Sequence, residues 1–161
     1  KLVPGFDDEC ISALVEHSTK LRAIVLEMYG AGNAPVGSKS SFLEALQRAK
    51  EKGIVVAGCS QCIRGGTNLD TYSLGVSMKK AGVIGAGDMT TEALTTKLAY
   101  LFGRGATYEA IADLLTVNLR GEISDTSSSG DTTKGKYLGK KRDGLDGHDS
   151  QRFVKHLLLT E

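Results

Sequence analysis

Apolar residues along this chain fall into short blocks whose spacing changes from one block to the next. Residues 6–15 place Cys10, Ile11, Leu14 and Val15 on one face of a predicted helix that Asp7 can cap. RAIVLEMYG, at 22–30, is β-branched and nearly continuous in apolar character, which predicts a buried strand. SFLEALQRAKEKG, at 41–53, returns to helical spacing. Ser41 and Glu44 stand at capping-box distance, Leu43 and Leu46 face inward, and Gly53 closes the helix. GIVVAG (53–58) and AGVIGAG (81–87) read as second and third strands. A helix over 90–102 stacks Ala93, Leu94, Leu98 and Leu101, and a last helix within 107–119 has Thr107 as N-cap and Ile111, Leu114 and Leu115 inward.

A strand, a helix and a second strand at this spacing form a βαβ unit, so the strands should be parallel with a right-handed crossover. With KLVPG at the start as a short edge strand, the expectation is an α/β fold. It is a three-layer sandwich around a small, mostly parallel, Rossmann-like sheet of about four strands. The organisation reads as an α/β domain over 1–122, a polar Gly/Ser-rich linker over 123–147, and a short helix at 148–161. That final segment, with Phe153, Val154, Leu157 and Leu158 on one face, either docks on the domain or leads into a further module.

Composition narrows the classes. The 161 residues suffice for one domain with a real core. The net charge of +1, with acids and bases interleaved, gives no electrostatic footprint for nucleic acid or an anionic membrane. No apolar run approaches the length of a membrane span. Three cysteines, Cys10, Cys59 and Cys62, make no disulfide scaffold and predict reduced thiols and a cytoplasmic setting. A start at Lys1 without a signal-peptide pattern reads as a piece of a longer polypeptide.

Glycine, with 20 residues against 2 prolines, does the punctuating. Three small-residue turns, GAGN, GCSQC and GAGD, follow the three strands. Ligands gather beyond the carboxyl ends of a parallel sheet, so Asn33, Ser60, Gln61 and Asp88 would line such an edge; the alternative is that these are only tight βα turns. Sharper motifs fail. In GNAPVGSKS, Ser38 displaces Lys39 from the position a phosphate loop requires. Neither GAG phrase completes GxGxxG, because Pro35 and Thr91 hold the last glycine positions. Cys59 and Cys62 have CxxC spacing, but no helix former follows and no further metal ligands stand near, so small thiols at a strand end are the plainer reading. Glu27 inside a buried strand needs a partner, for which Arg64, Arg104 or Arg120 could serve. Asp88 reads as an N-cap, and Tyr72 lies in an irregular stretch as either exposed packing or a functional hydroxyl.

The run YGAGNAP, then VVAGCSQC, then the loop TYSLG, then AGVIGAGDMTTEALTTKL, and finally NLRGE resembles the C-terminal domain of type I (cytosolic-type) L-asparaginases from about Pro4 to Glu122. The resemblance implies hydrolysis of L-asparagine to L-aspartate and ammonia without a cofactor or metal, in a homo-oligomer. In that family the nucleophilic threonine sits in an N-terminal TGGT segment, which this chain lacks; GGTN at 65–68 stands in another context. The chain therefore resembles an asparaginase half that is inactive alone and completes an active site with an N-terminal asparaginase domain across a subunit interface. By the same resemblance Asn33 contacts the substrate, and Tyr72 brings its hydroxyl to the partner's threonine in trans. Glu27, Ser60 and Cys62 occupy the positions of an effector-asparagine site, with Glu27 in place of an arginine. That exchange of charge implies an effector site absent or rebuilt. Animal members often continue into ankyrin repeats. A non-catalytic amino-acid-binding module, or a domain of an amidotransferase complex, are the alternatives on the same fold.

Overall fold

The computed structural model describes residues 1–34 and 41–124. The element order is α1 (Glu9–His17), β1 (Ala23–Met28), α2 (Ser41–Glu51), β2 (Val55–Ser60), α3 (Ser73–Lys80), β3 (Val83–Gly85), α4 (Thr91–Gly103) and α5 (Tyr108–Leu115). The three strands form one parallel sheet in the order β1-β2-β3, with Ala23 opposite Val55 and Val56 opposite Val83. The expected linker and terminal helix lie, from residue 125 on, outside the described residues, as does most of the GNAPVGSKS phrase.

Strand alternation builds two cores. Leu26, Met28, Val56 and Val83 pack with Ile11 and Val15 of α1, Phe42 and Leu46 of α2 and Met78 of α3. Val55, Ala57 and Cys59 turn to the opposite face against Leu94, Leu98 and Leu101 of α4 and Ile111, Leu114 and Leu115 of α5. The expected three layers are therefore α1, α2 and α3 on one side of the sheet and α4 and α5 on the other. β2 is buried along nearly its whole length because it lies between both neighbours and both helix layers.

Several local expectations change. KLVPG forms no strand. Leu2 N donates to Glu27 O at 3.0 Å, but Pro4 has no N–H to continue a ladder. Gln61 substitutes for the missing pairing: its Nε2 donates to Leu2 O at 2.6 Å and to Glu27 O at 2.8 Å. In α1 only Ile11 and Val15 are buried, while Cys10 and Leu14 lie exposed. The N-cap of α1 is Asp8, which makes no side-chain cap bond, and the expected cap, Asp7, stands one residue earlier and accepts from Glu9 N at 3.0 Å. The α2 capping box does not form. Ser41 Oγ donates to Asp8 at 2.5 Å and Phe42 N to the same carboxylate at 3.0 Å, so the cap comes from the neighbouring helix. Asp88 is not the N-cap of α4; Thr90 is, accepting from Ala93 N at 3.2 Å, while Asp88 receives Ser124 N at 2.8 Å, and the Ser124 hydroxyl first and that backbone N–H second hold its carboxyl below the ordinary value. Thr107 caps α5 as expected, through Ala110 N at 3.3 Å. The stretch read as irregular contains α3, with Leu74, Gly75 and Met78 buried. Its eight residues and its early glycine hide the helical period.

A buried ion pair fastens α4 to the last described turn. Lys97 Nζ lies 2.6 Å from Glu122 Oε1 and donates to Leu115 O at 3.0 Å and Val117 O at 2.5 Å, which uses all three ammonium protons. Glu122 also receives Leu119 N at 3.0 Å and Arg120 N at 2.6 Å, and Gly121 N donates to Asn118 Oδ1 at 2.7 Å. The NLRGE phrase is thus a turn folded around a lysine. Burial raises the Glu122 carboxyl, but Lys97 and the backbone donors outweigh it and hold the group at about 2; burial lowers the Lys97 ammonium against the pull of Glu122.

Two outcomes follow for stability. A Cβ on Gly75 would lie 2.5 Å from Leu69 O, a backbone atom that cannot swing aside, so Gly75→Ala should cost about 1–3 kcal/mol in urea unfolding. Glu122 has a folded pKa below its unfolded value, so its stabilisation is present above about pH 4.5 and is lost as the pH falls toward about 2. Glu122→Gln should lose about 3 kcal/mol at neutral pH by leaving Lys97 unpaired, and the gap to the parent chain should shrink through that acid window in pH-dependent unfolding curves.

Candidate functional site

All three strands point their carboxyl ends to the same edge, and three loops meet there. After β1 the chain turns back on itself. Tyr29 N donates to Asn33 O and Asn33 N to Tyr29 O, both at 2.8 Å, while Asn33 Oδ1 accepts Ala34 N at 2.9 Å. Gly32 adopts φ +131°, and a Cβ there would lie 3.0 Å from Leu69 Cδ2. The glycine lets this turn press against the loop after β2. That loop carries the decisive contacts: Thr67 N donates to Gly87 O and Asn68 N to Ala31 O, each at 2.7 Å. Successive N–H groups of an extended chain point in opposite directions, so one dipeptide reaches the turn after β3 on one side and the turn after β1 on the other.

Asn68 Oδ1 then accepts Asp70 N at 3.0 Å, and Asp70 pairs with Lys79 at 2.8 Å, which ties the loop to the far end of α3. Tyr72 stands at the N-cap of α3 and is 44% exposed. Asn33 and Tyr72 are therefore carried by two loops joined through the Asn68–Ala31 bond. Ser60 belongs to the same edge. Its Oγ donates to Gly30 O at 2.7 Å and accepts Cys62 N at 3.0 Å, so its hydroxyl braces the β1 turn from below.

Glu27 faces the α4 side of the sheet. Its Oε1 accepts the Thr91 hydroxyl at 3.0 Å, and Thr91 Oγ1 lies 3.4 Å from the buried Cys59 thiol. Lys1 Nζ lies 4.0 Å from Oε2, so a lysine and a hydroxyl supply contacts where an arginine was expected. A carboxylate beside the first residue of α4 also complements the positive end of that helix. Of the three positions matched to an effector site, Ser60 and Cys62 are brought together, while Glu27 is engaged with Thr91. The CxxC cysteines part company: Cys59 is buried and Cys62 exposed. No group of three or more His, Cys, Asp or Glu side chains that could hold a metal occurs among the described residues.

Thr67, Asn68 and Ile63 were not legible in the sequence. Thr67 is buried with its hydroxyl unpartnered among the described residues, as is the Tyr29 hydroxyl, and the Thr67 methyl would lie 3.6 Å from a Cβ on Gly32. Ile63 is fully exposed in the loop after β2. No local pattern marks these residues, because their roles arise from loops far apart in sequence. Lys97 did leave a signal: it sits three residues after Leu94, inside the inward stripe of α4.

Comparison with known proteins gives this geometry a family. The Glutaminase/Asparaginase C-terminal domain family matches residues 1–115. L-asparaginase 1 of Escherichia coli is 39% identical over 123 residues, covering 76% of this chain and 35% of that protein. The human 60 kDa lysophospholipase is 37% identical over 128 residues, 79% of this chain and 22% of the relative. A Glutamyl-tRNA(Gln) amidotransferase polypeptide of Pyrococcus abyssi is 36% identical over 77% of this chain and 27% of its own length. Among solved structures, L-asparaginase I of Vibrio cholerae superposes with TM-score 0.69 at 34% identity over 76% of this chain and 36% of its own, and the thermostable L-asparaginase of Thermococcus kodakarensis with 0.67 at 35% over 78% and 37%. The chain thus spans about a third or less of the length of these relatives. A parallel three-stranded sheet with its loops cross-braced at the carboxyl edge, matched over this extent, places the chain in the Glutaminase/Asparaginase C-terminal domain family.

Proposed function

We propose that this chain is the C-terminal half of a cytoplasmic L-asparaginase, converting L-asparagine and water to L-aspartate and ammonia. It completes an active site whose nucleophile is supplied by an N-terminal asparaginase domain, within a homo-oligomer. The observation that carries the reading is the Asn68–Ala31 bond, which holds the Asn33 turn and the Tyr72 loop at one edge of the sheet. The similarity to L-asparaginase 1 of E. coli supplies the reaction.

In this reading Asn33 binds the polar groups of the amino acid. Tyr72 reaches into the partner's pocket and orients the nucleophilic hydroxyl or relays its proton, the assistance a weak alcohol nucleophile needs. The exposure of Tyr72 and Ile63 on the same edge supports a surface completed by another chain. Glu27 would repel the carboxylate of an amino-acid effector, so in this reading the asparagine effector site matched by Glu27, Ser60 and Cys62 is absent or rebuilt. The match to the Pyrococcus abyssi amidotransferase favours a second reading, a domain releasing ammonia for a larger complex.

Ammonia release from asparagine and glutamine tests the first reading, with the chain alone and after mixing with a separately produced N-terminal asparaginase domain. The chain alone should be silent and the mixture active. Tyr72→Phe should lower kcat by about 10²-fold, and Asn33→Ala should raise KM. Turnover by the chain alone, or a mixture indifferent to Tyr72→Phe, would overturn the assignment. Calorimetry on the mixture should find one class of asparagine site.

A further inference from the structure

The turn after β3 is gripped by two segments from distant parts of the chain. From the loop after β2, Thr67 N donates to Gly87 O at 2.7 Å, and a Cβ on Gly66 would lie 2.9 Å from the same carbonyl. From the other segment, Ile123 reaches the same glycine: a Cβ on Gly87 would lie 2.7 Å from Ile123 Cδ1. Ile123 is buried with the side chains of α4 and α5. Ser124 N then donates to Asp88 Oδ1 at 2.8 Å.

This grip matters because β3 has only three residues and pairs with β2 alone, so the sheet by itself holds the turn weakly. Ala86 N donates to Gly58 O at 2.8 Å, which fixes the turn at its start and leaves Gly87 and Asp88 to outside contacts. Glu122, directly before Ile123, is pinned to Lys97 at 2.6 Å inside the inward stripe of α4. Contacts therefore run without a break from that pair through Ile123 and Ser124 to Gly87 and Asp88. They continue through Thr67 to Asn68, whose N–H holds Ala31 O at 2.7 Å, and so reach the loops that carry Tyr72 and Asn33.

We propose that Glu122, Ile123 and Ser124 are positioning residues for the carboxyl edge: seated on Gly87 and Asp88, they hold the β3 turn where Thr67 N meets it, and thereby place the Tyr72 loop. The effect on turnover rests on the function proposed above; the effect on the loops does not. Truncating Ile123 leaves a void against Gly87, and removing the Asp88 carboxylate frees Ser124 N; either change loosens the turn from the same side.

Amide hydrogen exchange, followed residue by residue by NMR in the full 161-residue chain, tests the positioning without reference to turnover. Ile123→Ala and Asp88→Ala should each speed exchange of the Thr67 and Asn68 amides by about 10-fold or more. Asp88→Asn, which keeps an acceptor for Ser124 N, should restore most of that protection. The Ile54 amide, bonded to Ala49 O at 2.8 Å at the amino end of β2, should keep the parent rate throughout, which separates a loosened edge from a weaker fold. If Ile123→Ala fails to fold, the two Asp88 substitutions carry the same comparison. In the mixture with the N-terminal asparaginase domain, Ile123→Ala should lower kcat several-fold, and far less once Tyr72→Phe is present. Parent exchange rates at Thr67 and Asn68 in the variants would overturn the proposal, as would equal acceleration at Ile54 or multiplicative effects of Ile123→Ala and Tyr72→Phe on kcat. A parent mixture without turnover would overturn the proposed function instead, and the exchange rates would still decide the positioning.

Discussion

Two consecutive backbone N–H groups, those of Thr67 and Asn68, hold the carboxyl edge of this sheet together. The turns after β1 and β3 are not neighbours, because β2 lies between them, and the separation is two strand spacings, about 10 Å. A bridging side chain would cost rotamer entropy on top of the backbone ordering that any folded loop already requires; the extended dipeptide bridges through backbone groups alone. Gly32 removes the side chain that would keep the loop and the β1 turn apart. The Asn68–Ala31 bond joins the loop that carries Tyr72 to the turn that carries Asn33.

A second fastening works on the other face. Lys97 places a charge in the inward stripe of α4, which would be costly alone, and the NLRGE turn satisfies it completely. Directly after this pair, Ile123 is buried and Ser124 N donates to Asp88, so the turn is held on both sides. The two fastenings lie apart: the Thr67–Asn68 bridge joins the loops at the carboxyl edge, while the Lys97–Glu122 pair joins α4 to the turn that follows α5.

The corrected details share a cause. Asp8 caps α2, Thr91 meets Glu27, and Gln61 clasps Leu2, each across an interval of 30 residues or more. Local rules assign a polar residue to its sequence neighbours, as with Ser41 and Glu44 or Asp88 and α4. The folded chain reassigns it whenever a donor from another element arrives with better geometry. α3 was hidden for a related reason, since only the packing of Gly75 against Leu69 makes its glycine an asset.

Patterning along the chain was enough to point to the layers: the nearly continuous apolar runs at 23–28 and 55–60 and the helical stripes of α2, α4 and α5 fit a parallel sheet covered on both faces. It also carried the family, because YGAGN, the Gln-Cys turn, TKL and NLRGE are ordered motifs readable without coordinates. Folding added which loops touch, what Glu27 bonds, and that a lysine in an apolar stripe answers to a glutamate 25 positions later. The physical reason is range. Periodicity is fixed by the repeat of the backbone within a single element, whereas the partner of a buried polar group is fixed by whichever distant loop the packing brings within hydrogen-bond reach.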